Sequence, residues 1–504
     1  MKVRGFLAFL IATKCKKILA DLRSYGLFSL HFEAKSMYKS PDYEYEQLSF
    51  VNFNTTCGMQ LDPKNEWIQI SKRLPWRAWE TLYEAMFPSS TGNVAKPCRM
   101  VLGSIIIQLR MGYTDRDLVD QICQNPYYQY FIGLPAFQHQ APFARTLLVE
   151  WRKRVDLDFI IKAIDLLCDA APHAFRFRKR KGNTWYGTLI ATQICDATVA
   201  PQYIRFPQDT SLLNEARTKL EGIIDYLCAR YELEKPRMYR KVAHKDYLAF
   251  ARSKKPSAEK IRSAIKAQLG YVRRDLEYLD SFLSQGYAPI KKDIDTIITI
   301  HLLYEQQKYM YDNRTHKVEN RIVSISQPYV RPIVRGKQKA PTEFGAKLHL
   351  SLDEKGFGRI ESLSFDPYNE GPKLIDALNA YKYRNNCYPE RVLVDQIYRT
   401  RDNIKFCADN GIRISGPKLG RRSTDSQKVK KNRRTAAKDN TDRIEIERYF
   451  STAKRRNGLG IISRKREDTS LATIAMAVLV TNIFGSFKSA VDEYESQISS
   501  TKAN

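Results

Sequence analysis

Residues 442–456 of the 504-residue chain read DRIEIERYFSTAKRR, which we interpret as a helix that ends in a group of cations. Arg443, Glu447 and Lys454 are four and seven residues apart, so they share one helical face. One carboxylate therefore lies between two cations on a single stripe. Surface helices with i,i+4 ion pairs have the same pattern. For the segment by itself, that simpler interpretation stays open.

Two aspartates accompany apolar runs that are typical of buried strands. The run Thr184–Thr198 predicts a strand with Asp196 at its end, and Arg391–Asp395 predicts a second strand that ends in Asp395. Catalytic groups in α/β sheets gather at such ends. Alternatively, Asp196 is a strand-end cap and Asp395 is a helix N-cap near Arg399.

Together with Glu447, the two aspartates form a candidate site for a hard cation. Mg²⁺ prefers oxygen ligands in near-octahedral geometry. Two such ions can activate the attacking oxygen and stabilise the leaving oxygen of a phosphodiester. Asp and Glu suit this chemistry because their anionic oxygens act as acceptors only.

The composition favours a polyanionic partner. The formal charge is +28 and the pI is about 9.6, which is typical of nucleic-acid binding. A basic membrane-surface protein would need an anchor, and the apolar run 471–487 is too short and too interrupted to span a bilayer. We interpret that run as a buried core helix. The nine cysteines lack a C-x-x-C pair, and the seven histidines are dispersed, so we predict a reduced, intracellular protein without a zinc site.

Helical periodicity dominates the first third of the chain. Residues 65–156 predict short helices joined by tight turns, with a capped start at Thr114. They are compatible with a helix-turn-helix-like DNA reader and equally with a helical packing or dimerisation domain. We place an N-terminal extension of uncertain fold at 1–58 and a helical DNA-binding domain at 59–175.

The remainder predicts a mixed α/β domain at 182–490, followed by a C-terminal tail at 491–504. Residues 205–335 interrupt this domain with long helical periodicity, which predicts a helical insertion that includes the basic segment Arg237–Lys255. We expect the Asp196 strand to pair with a hairpin at Phe344–Phe365. The segment Lys418–Lys438 holds nine Lys/Arg against one Asp, and we interpret it as a mobile basic loop.

From about Met37 onward, the chain resembles a DDE transposase of a bacterial insertion sequence, in the IS-four/IS-five superfamily with an InsH-type N-terminal domain. Asp196 in ICDAT and Asp395 in VLVDQIY match the two aspartates of the family. Glu447 matches the glutamate of its Y-x2-R-x3-E-x6-K signature, with Arg443 and Lys454 at the right spacings. The signature tyrosine is replaced by Asn440.

The resemblance implies an RNase H-like mixed-sheet catalytic core that cleaves terminal inverted repeats and joins a 3′-hydroxyl to target DNA. Asp196, Asp395 and Glu447 would be the catalytic residues and the ligands of Mg²⁺, for which Mn²⁺ would substitute. Double-stranded DNA, comprising the element ends and the target, would be the partner, and a dimer would bind it. The protein would be cytoplasmic and associated with the nucleoid, and it would not bind a membrane. The DNA-binding candidates are Arg443, Lys454, Arg448, Arg455, Arg456, Lys430, Lys431, Arg433 and Arg434.

Two alternatives differ in chemistry. A transposase-derived repressor would bind DNA with an inactive core, and Asn440 leaves this open. An RNase H-like nuclease would hydrolyse DNA without strand transfer, because both reactions use the same metal site.

Overall fold

The computed structural model describes residues 60–87, 94–170, 192–334, 342–417 and 426–501. The predicted extension at 1–58 lies outside these residues. Seven helices precede the first described strand: α1 (Glu66–Ser71), α2 (Trp76–Glu84), α3 (Cys98–Met111), α4 (Asp115–Gln124), α5 (Pro126–Phe131), α6 (Leu147–Arg154) and α7 (Leu157–Ala170). The predicted cap is confirmed, since Thr114 Oγ1 accepts a hydrogen bond from the Asp117 N–H.

A mixed sheet forms the centre of the second half. Its strands are β1 (Thr192–Pro201), β2 (Arg331–Val334), β3 (Thr342–Leu352), β4 (Gly358–Ser364), β5 (Arg391–Leu393) and β6 (Arg413–Ile414). The spatial order is β4-β3-β1-β5-β6, and β2 pairs with the start of β3. The first three strands are antiparallel, whereas β5 and β6 run parallel to β1. The predicted pairing of the Asp196 strand with the hairpin is confirmed.

Helices cover both faces of the sheet. The connections and flanking helices are α12 (Lys373–Asn385), a 3₁₀ turn (Gln396–Tyr398), α13 (Arg401–Asp409), α14 (Ser426–Arg456) and α15 (Glu467–Thr501). On β3, Leu348, Leu350 and Leu352 face one apolar core, while the alternate positions face the other side. On that other side, α12 and the 3₁₀ turn pack against β1 and β5.

The N-terminal helices share one hydrophobic core with the sheet and α15. Residues of α3 and α7 are buried together with Leu350 of β3 and Ile474 of α15. The described helices before residue 175 and the sheet thus share one core, and the predicted domain division stays a prediction. The physical reason is that α3 is buried around most of its circumference, so it needs apolar partners on several sides. A packing role for these helices is thus shown by the structure, and DNA reading by them stays a prediction.

The apolar helix α15 is buried, as predicted. Its segment Glu467–Gly485 is long and apolar enough to cross a membrane by length and composition, but 72% of it is buried inside the fold. It packs on α3, α7 and β4. The helix continues to Thr501, well past the predicted domain end at 490.

Four helices occupy the predicted insertion: α8 (Asp209–Arg230), α9 (Arg240–Ala251), α10 (Ala258–Ser284) and α11 (Lys291–Asp312). They enclose a core of their own, built from residues between Leu212 and Ile325. No strand lies within 205–330, a range that is described without a gap. The predicted end at 335 is too late, because β2 (Arg331–Val334) already pairs with β3 in the sheet. The basic segment Arg237–Lys255 is largely the helix α9.

The prediction of a loop at Lys418–Lys438 is wrong for its second part. The helix α14 begins at Ser426, so the basic run 426–438 is its first half, and residues 418–425 lie outside the described residues. Lys, Arg, Gln and Ala are good helix formers, and the five cations between Lys430 and Lys438 are exposed to water, where their mutual repulsion is screened.

Candidate functional site

Asp196 and Asp395 lie side by side on neighbouring parallel strands. The β1–β5 register pairs Ile194 with Leu393, and each aspartate follows two residues later. The prediction that Asp196 ends its strand is wrong, because β1 continues to Pro201 through its pairing with β3. The pairing of β1 with β5 ends at Ile194, two residues before Asp196. Both aspartates therefore lie just beyond the carboxyl end of the parallel pair, where α/β sheets place ligands.

Asp395 also has a local structural role. Its Oδ1 accepts a hydrogen bond of 2.7 Å from the N–H of Gln396 and caps the 3₁₀ turn. The helix-cap interpretation and the strand-end interpretation of this residue are thus compatible. The side chain is exposed and has capacity for further contacts.

The electrostatic environment of Asp196 disfavours its charge. Burial, together with the negative charges of Glu370 and Asp395, raises the pKa of Asp196 to about 6. The N–H of Ala197, which donates to Oδ1 at 2.8 Å, and the Arg443 guanidinium act in the opposite direction. A cation bound here would stabilise the ionised form, and carboxylate oxygens are the ligands that Mg²⁺ prefers.

Glu447 is linked to Asp196 through Arg443. Its carboxylate is half exposed and forms an ion pair of 3.2 Å with Arg443, one turn earlier on α14. Arg443 therefore interacts with both acids. Its charge acts to lower the pKa of Asp196, and its guanidinium pairs with Glu447. Among the residues that the structure describes, no three His, Cys, Asp or Glu side chains are close enough together to hold a metal ion. The three-carboxylate site stays a prediction.

An ionic clamp docks α14 onto the sheet. Asp439 accepts two hydrogen bonds from Arg413, at 2.6 and 2.8 Å, and one from Arg391 at 3.3 Å. Arg391 also donates to Asp442 at 2.9 Å. Both aspartates are buried, so the clamp fixes the helix against the starts of β5 and β6. Asn440, at the place of the signature tyrosine, is exposed.

Toward the C-terminus of α14, apolar residues occupy the same buried face of the helix. Ile446, Phe450 and Ala453 are buried at helical spacing against the shared core. Tyr449 Oη donates to the Val478 carbonyl at 3.1 Å and lies 2.8 Å from Asn482 Oδ1. These contacts fix the rotation of the helix, which places Arg443 toward Asp196.

The predicted DNA-binding residues form an exposed basic surface, with two exceptions. Arg443 is about one-quarter exposed, and Lys454 is half-buried. Arg448 pairs with Glu445 at 2.9 Å, and Arg455 donates to Ser451. The first half of α14 adds four exposed candidates, which are Lys430, Lys431, Arg433 and Arg434.

The sequence interpretation missed Glu370, the acid whose charge acts most strongly on Asp196. It lies in the polar turn between β4 and α12, where no periodicity marks a functional residue. It also missed Asp439 and Asp442. Their spacing of three residues just before Arg443 was a usable signal, since it puts two carboxylates on one helical face.

Two family models of transposases match the chain. The model described as "Transposase DDE domain" matches residues 392–484, and the model described as "Transposase domain (DUF772)" matches residues 56–154. The predicted resemblance to a DDE insertion-sequence transposase is confirmed by these matches. The DDE match includes Asp395 and Glu447, whereas Asp196 lies outside it.

One curated relative is "Uncharacterized protein ORF8 in nfe locus" of Rhizobium meliloti. It is 24% identical over 156 residues, which is 31% of this chain and 71% of the relative. No solved structure matches the chain.

Proposed function

We propose that this protein is a DNA transposase that binds the terminal inverted repeats of an insertion sequence and catalyses metal-dependent strand cleavage and strand transfer. The observation that supports the proposal is the equivalent placement of Asp196 and Asp395 two residues beyond the β1–β5 pairing, with the charge of Arg443 of α14 acting on Asp196. Three antiparallel strands followed by two parallel strands are compatible with the RNase H-like core that the resemblance implies.

Asp196, Asp395 and Glu447 would hold Mg²⁺, for which Mn²⁺ would substitute. When bound, the metal would polarise the phosphodiester and lower the pKa of the attacking water or hydroxyl group. The protein itself supplies the carboxylates, a partly buried environment around Asp196 and cations that bind the DNA backbone.

Arg443 links DNA binding to the position of Glu447. In the free protein, its guanidinium pairs with the Glu447 carboxylate. A phosphate offers Arg443 a stronger bidentate partner. Exchange of this partner would free the Glu447 carboxylate to join the two aspartates. Lys454, on the same face, would bind the next phosphate as a point charge.

The remaining parts of the proposal concern partners and location. The substrate is double-stranded DNA, comprising the element ends and the target, and the basic half of α14 tracks its backbone. An element has two ends, so a dimer would hold both. The protein would act in the cytoplasm, associated with the nucleoid.

The decisive experiment incubates the purified protein with its presumed end DNA and Mg²⁺, and scores nicking and joining separately. Glu447→Gln should abolish cleavage and leave DNA binding nearly intact, because it removes charge while it keeps size. Glu445→Gln is the matched control, since Glu445 pairs with Arg448 on the same helix. Ca²⁺ should support binding with little chemistry, because it is larger and its coordination is more flexible.

The same assay separates the alternatives. A protein that nicks but never joins is a hydrolytic nuclease. A protein that binds its ends but cuts with neither Mg²⁺ nor Mn²⁺ is an inactive, repressor-like binder. The exposed Asn440 and the Arg443–Glu447 pair favour the repressor-like binder over the hydrolytic nuclease as the alternative function. Unchanged cleavage by Glu447→Gln would remove that residue from the mechanism.

A further inference from the structure

The positive charge of the helical insertion is concentrated in one segment. Residues 237–262 hold nine Lys/Arg against two Asp/Glu, whereas the rest of the range 205–330 holds fourteen basic and fourteen acidic residues. With histidine neutral, the formal charge of this segment is therefore +7, and that of the remainder is zero. Such an asymmetry is typical of a surface that binds a polyanion. Neither the proposed metal site nor the basic half of α14 includes this segment.

Three cations of the segment form a stripe on the outer face of α9. Lys241, Lys245 and Arg252 are four and seven residues apart, which is the spacing of side chains on one helical face, and all three are exposed. The opposite face carries the buried Ala243, and α9 packs on α8 and α10. At a rise of about 1.5 Å per residue, the stripe is about 16 Å long, which is about five base-pair steps of duplex DNA.

The acids around the stripe have other partners. Asp246, the acid of α9 itself, accepts a hydrogen bond of 2.9 Å from the Tyr271 hydroxyl of α10. Glu221 and Asp225 of α8 both pair with Arg240, at 3.7 and 2.5 Å, which docks the helix. No acid of the described chain forms an ion pair with any of the three stripe cations. Their charge is therefore left for a partner outside the chain.

A tyrosine in an unusual conformation extends this basic face beyond the start of α9. Tyr239 precedes the helix with a φ of +52°, in the left-handed region that bulky residues rarely adopt. The guanidinium carbons of Arg237 and Arg274 each lie 4.7 Å from its ring centre, so cation–π contacts hold both groups there. Unusual backbone conformations of this kind concentrate at functional sites. We call the resulting set the α9 surface: Arg237, Lys241, Lys245, Arg252 and Arg274.

We propose that the α9 surface binds the phosphate backbone of double-stranded DNA and is a second contact besides α14. The inference rests on the proposed DNA-binding function. Single-stranded DNA would need open aromatic rings on which its bases stack, and the Tyr239 ring already contacts two guanidinium groups. A membrane would need an apolar face to insert. The apolar face of α9 packs inside the insertion, and Val242 is the single large hydrophobic residue that this fully described helix exposes.

The test measures binding of the full chain to labelled duplexes by fluorescence anisotropy at several salt concentrations, without divalent metal. One duplex carries the presumed element end, and the other carries the same bases in scrambled order. The α9 variant combines Lys241→Gln, Lys245→Gln and Arg252→Gln, which are exposed positions where folding should be unaffected. The matched control removes two lysines and one arginine from the same insertion, each of which pairs with an acid four residues away: Lys219→Gln, Lys308→Gln and Arg273→Gln.

We expect the slope of log K against log salt to fall by up to about 2.7 in the α9 variant, since each lost phosphate contact removes about 0.9. The loss should be equal on both duplexes, because backbone contacts do not read sequence, and the control should change the slope little.

Equal slopes for the α9 variant and the control, with a wild type that binds DNA, would overturn the α9 surface alone. Weaker binding of the α9 variant to phosphatidylserine vesicles, with unchanged binding to both duplexes, would assign the surface to a membrane and would also overturn it. A wild type that binds neither duplex would overturn the proposed function itself.

Discussion

The charged form of Asp196 is unfavourable in the folded protein, yet it is the form that can bind a metal ion. A carboxylate that is buried beside two other acids is destabilised in its charged form, and that form is the one a metal requires. Its neighbour Asp395 is exposed and caps a turn. At the residue scale, therefore, the two aspartates have different environments although their spacing from β1 and β5 is the same.

Asp196→Asn should stabilise the folded protein at pH 8. The folded-state pKa of about 6 exceeds the ordinary value of 3.8, so ionisation costs stability as the pH rises through this window. The upper limit is about 3 kcal/mol. Well below pH 3.8, where Asp196 is protonated in both states, the advantage should vanish. Urea denaturation below about pH 3 and at pH 8 measures the difference.

Asp395→Asn is the control, because asparagine keeps the turn cap at an exposed position. It should change stability little at either pH. Added Mg²⁺ should stabilise the wild type at pH 8 more than the Asp196→Asn variant, through linkage. Equal stability of wild type and Asp196→Asn at pH 8 would contradict the destabilised carboxylate.

At the scale of the element, α14 does two jobs with different faces. One face carries Asp439, Ile446 and Phe450 into buried contacts, and the adjacent stripe carries the Arg443–Glu447 ion pair. The first half of the helix is basic and exposed. The orientation of the stripe depends on the docking of the buried face.

Removal of the clamp should loosen α14. Asp439→Asn leaves Arg391 and Arg413 without their shared charge partner, and loss of one member of a buried ion pair costs about 3–5 kcal/mol. Because Arg413 is partly exposed, we expect a loss of about 3 kcal/mol. The exposed neighbour Asn440→Ala should cost little. Chemical denaturation compares the two, and a similar loss for both would contradict the clamp.

The basic half of α14 should determine part of the salt dependence of DNA binding. Replacement of Lys430, Lys431, Arg433 and Arg434 by Gln should reduce the slope of log K against log salt by up to about 0.9 for each cation that binds a phosphate in the wild type. The control is a set of four lysines that already pair with acids three or four residues away: Lys153, Lys162, Lys219 and Lys308. If both sets lower the slope equally, α14 has no special role.

At the scale of the whole molecule, two separate cores predict two unfolding units. The helices α8–α11 have their own core, whereas α3, α7, α15 and the sheet share another. Hydrogen exchange during denaturation should show the insertion losing protection apart from the rest, and the N-terminal helices losing it together with β3.

Core truncations test the same division. Leu220→Ala should destabilise the insertion by about 2–5 kcal/mol, and Ile106→Ala should destabilise the N-terminal helices and the sheet together by a similar amount. A single transition that both variants shift equally would contradict two units.

Local features of this protein could be predicted from its sequence alone. Helix caps such as Thr114, the alternating hairpin at β3 and β4, the periodic helices of the insertion and the transposase motifs all depend on residues close together in the chain. Short-range patterns record such features because one face of each element must be apolar. The charge surplus likewise indicated a polyanionic partner without any structure.

Contacts between residues far apart in the chain became visible in the folded structure. The proximity of Asp196 to Asp395 depends on strand register across the whole insertion, and the Arg391–Asp439 clamp joins a strand to a helix. The core that the N-terminal helices share with the sheet depends on where α15 packs. Glu370 has no sequence pattern, because its relation to Asp196 arises from the folding of a polar turn against the turn of Asp395. Contacts between elements leave no periodicity in the chain, so only the folded structure shows them.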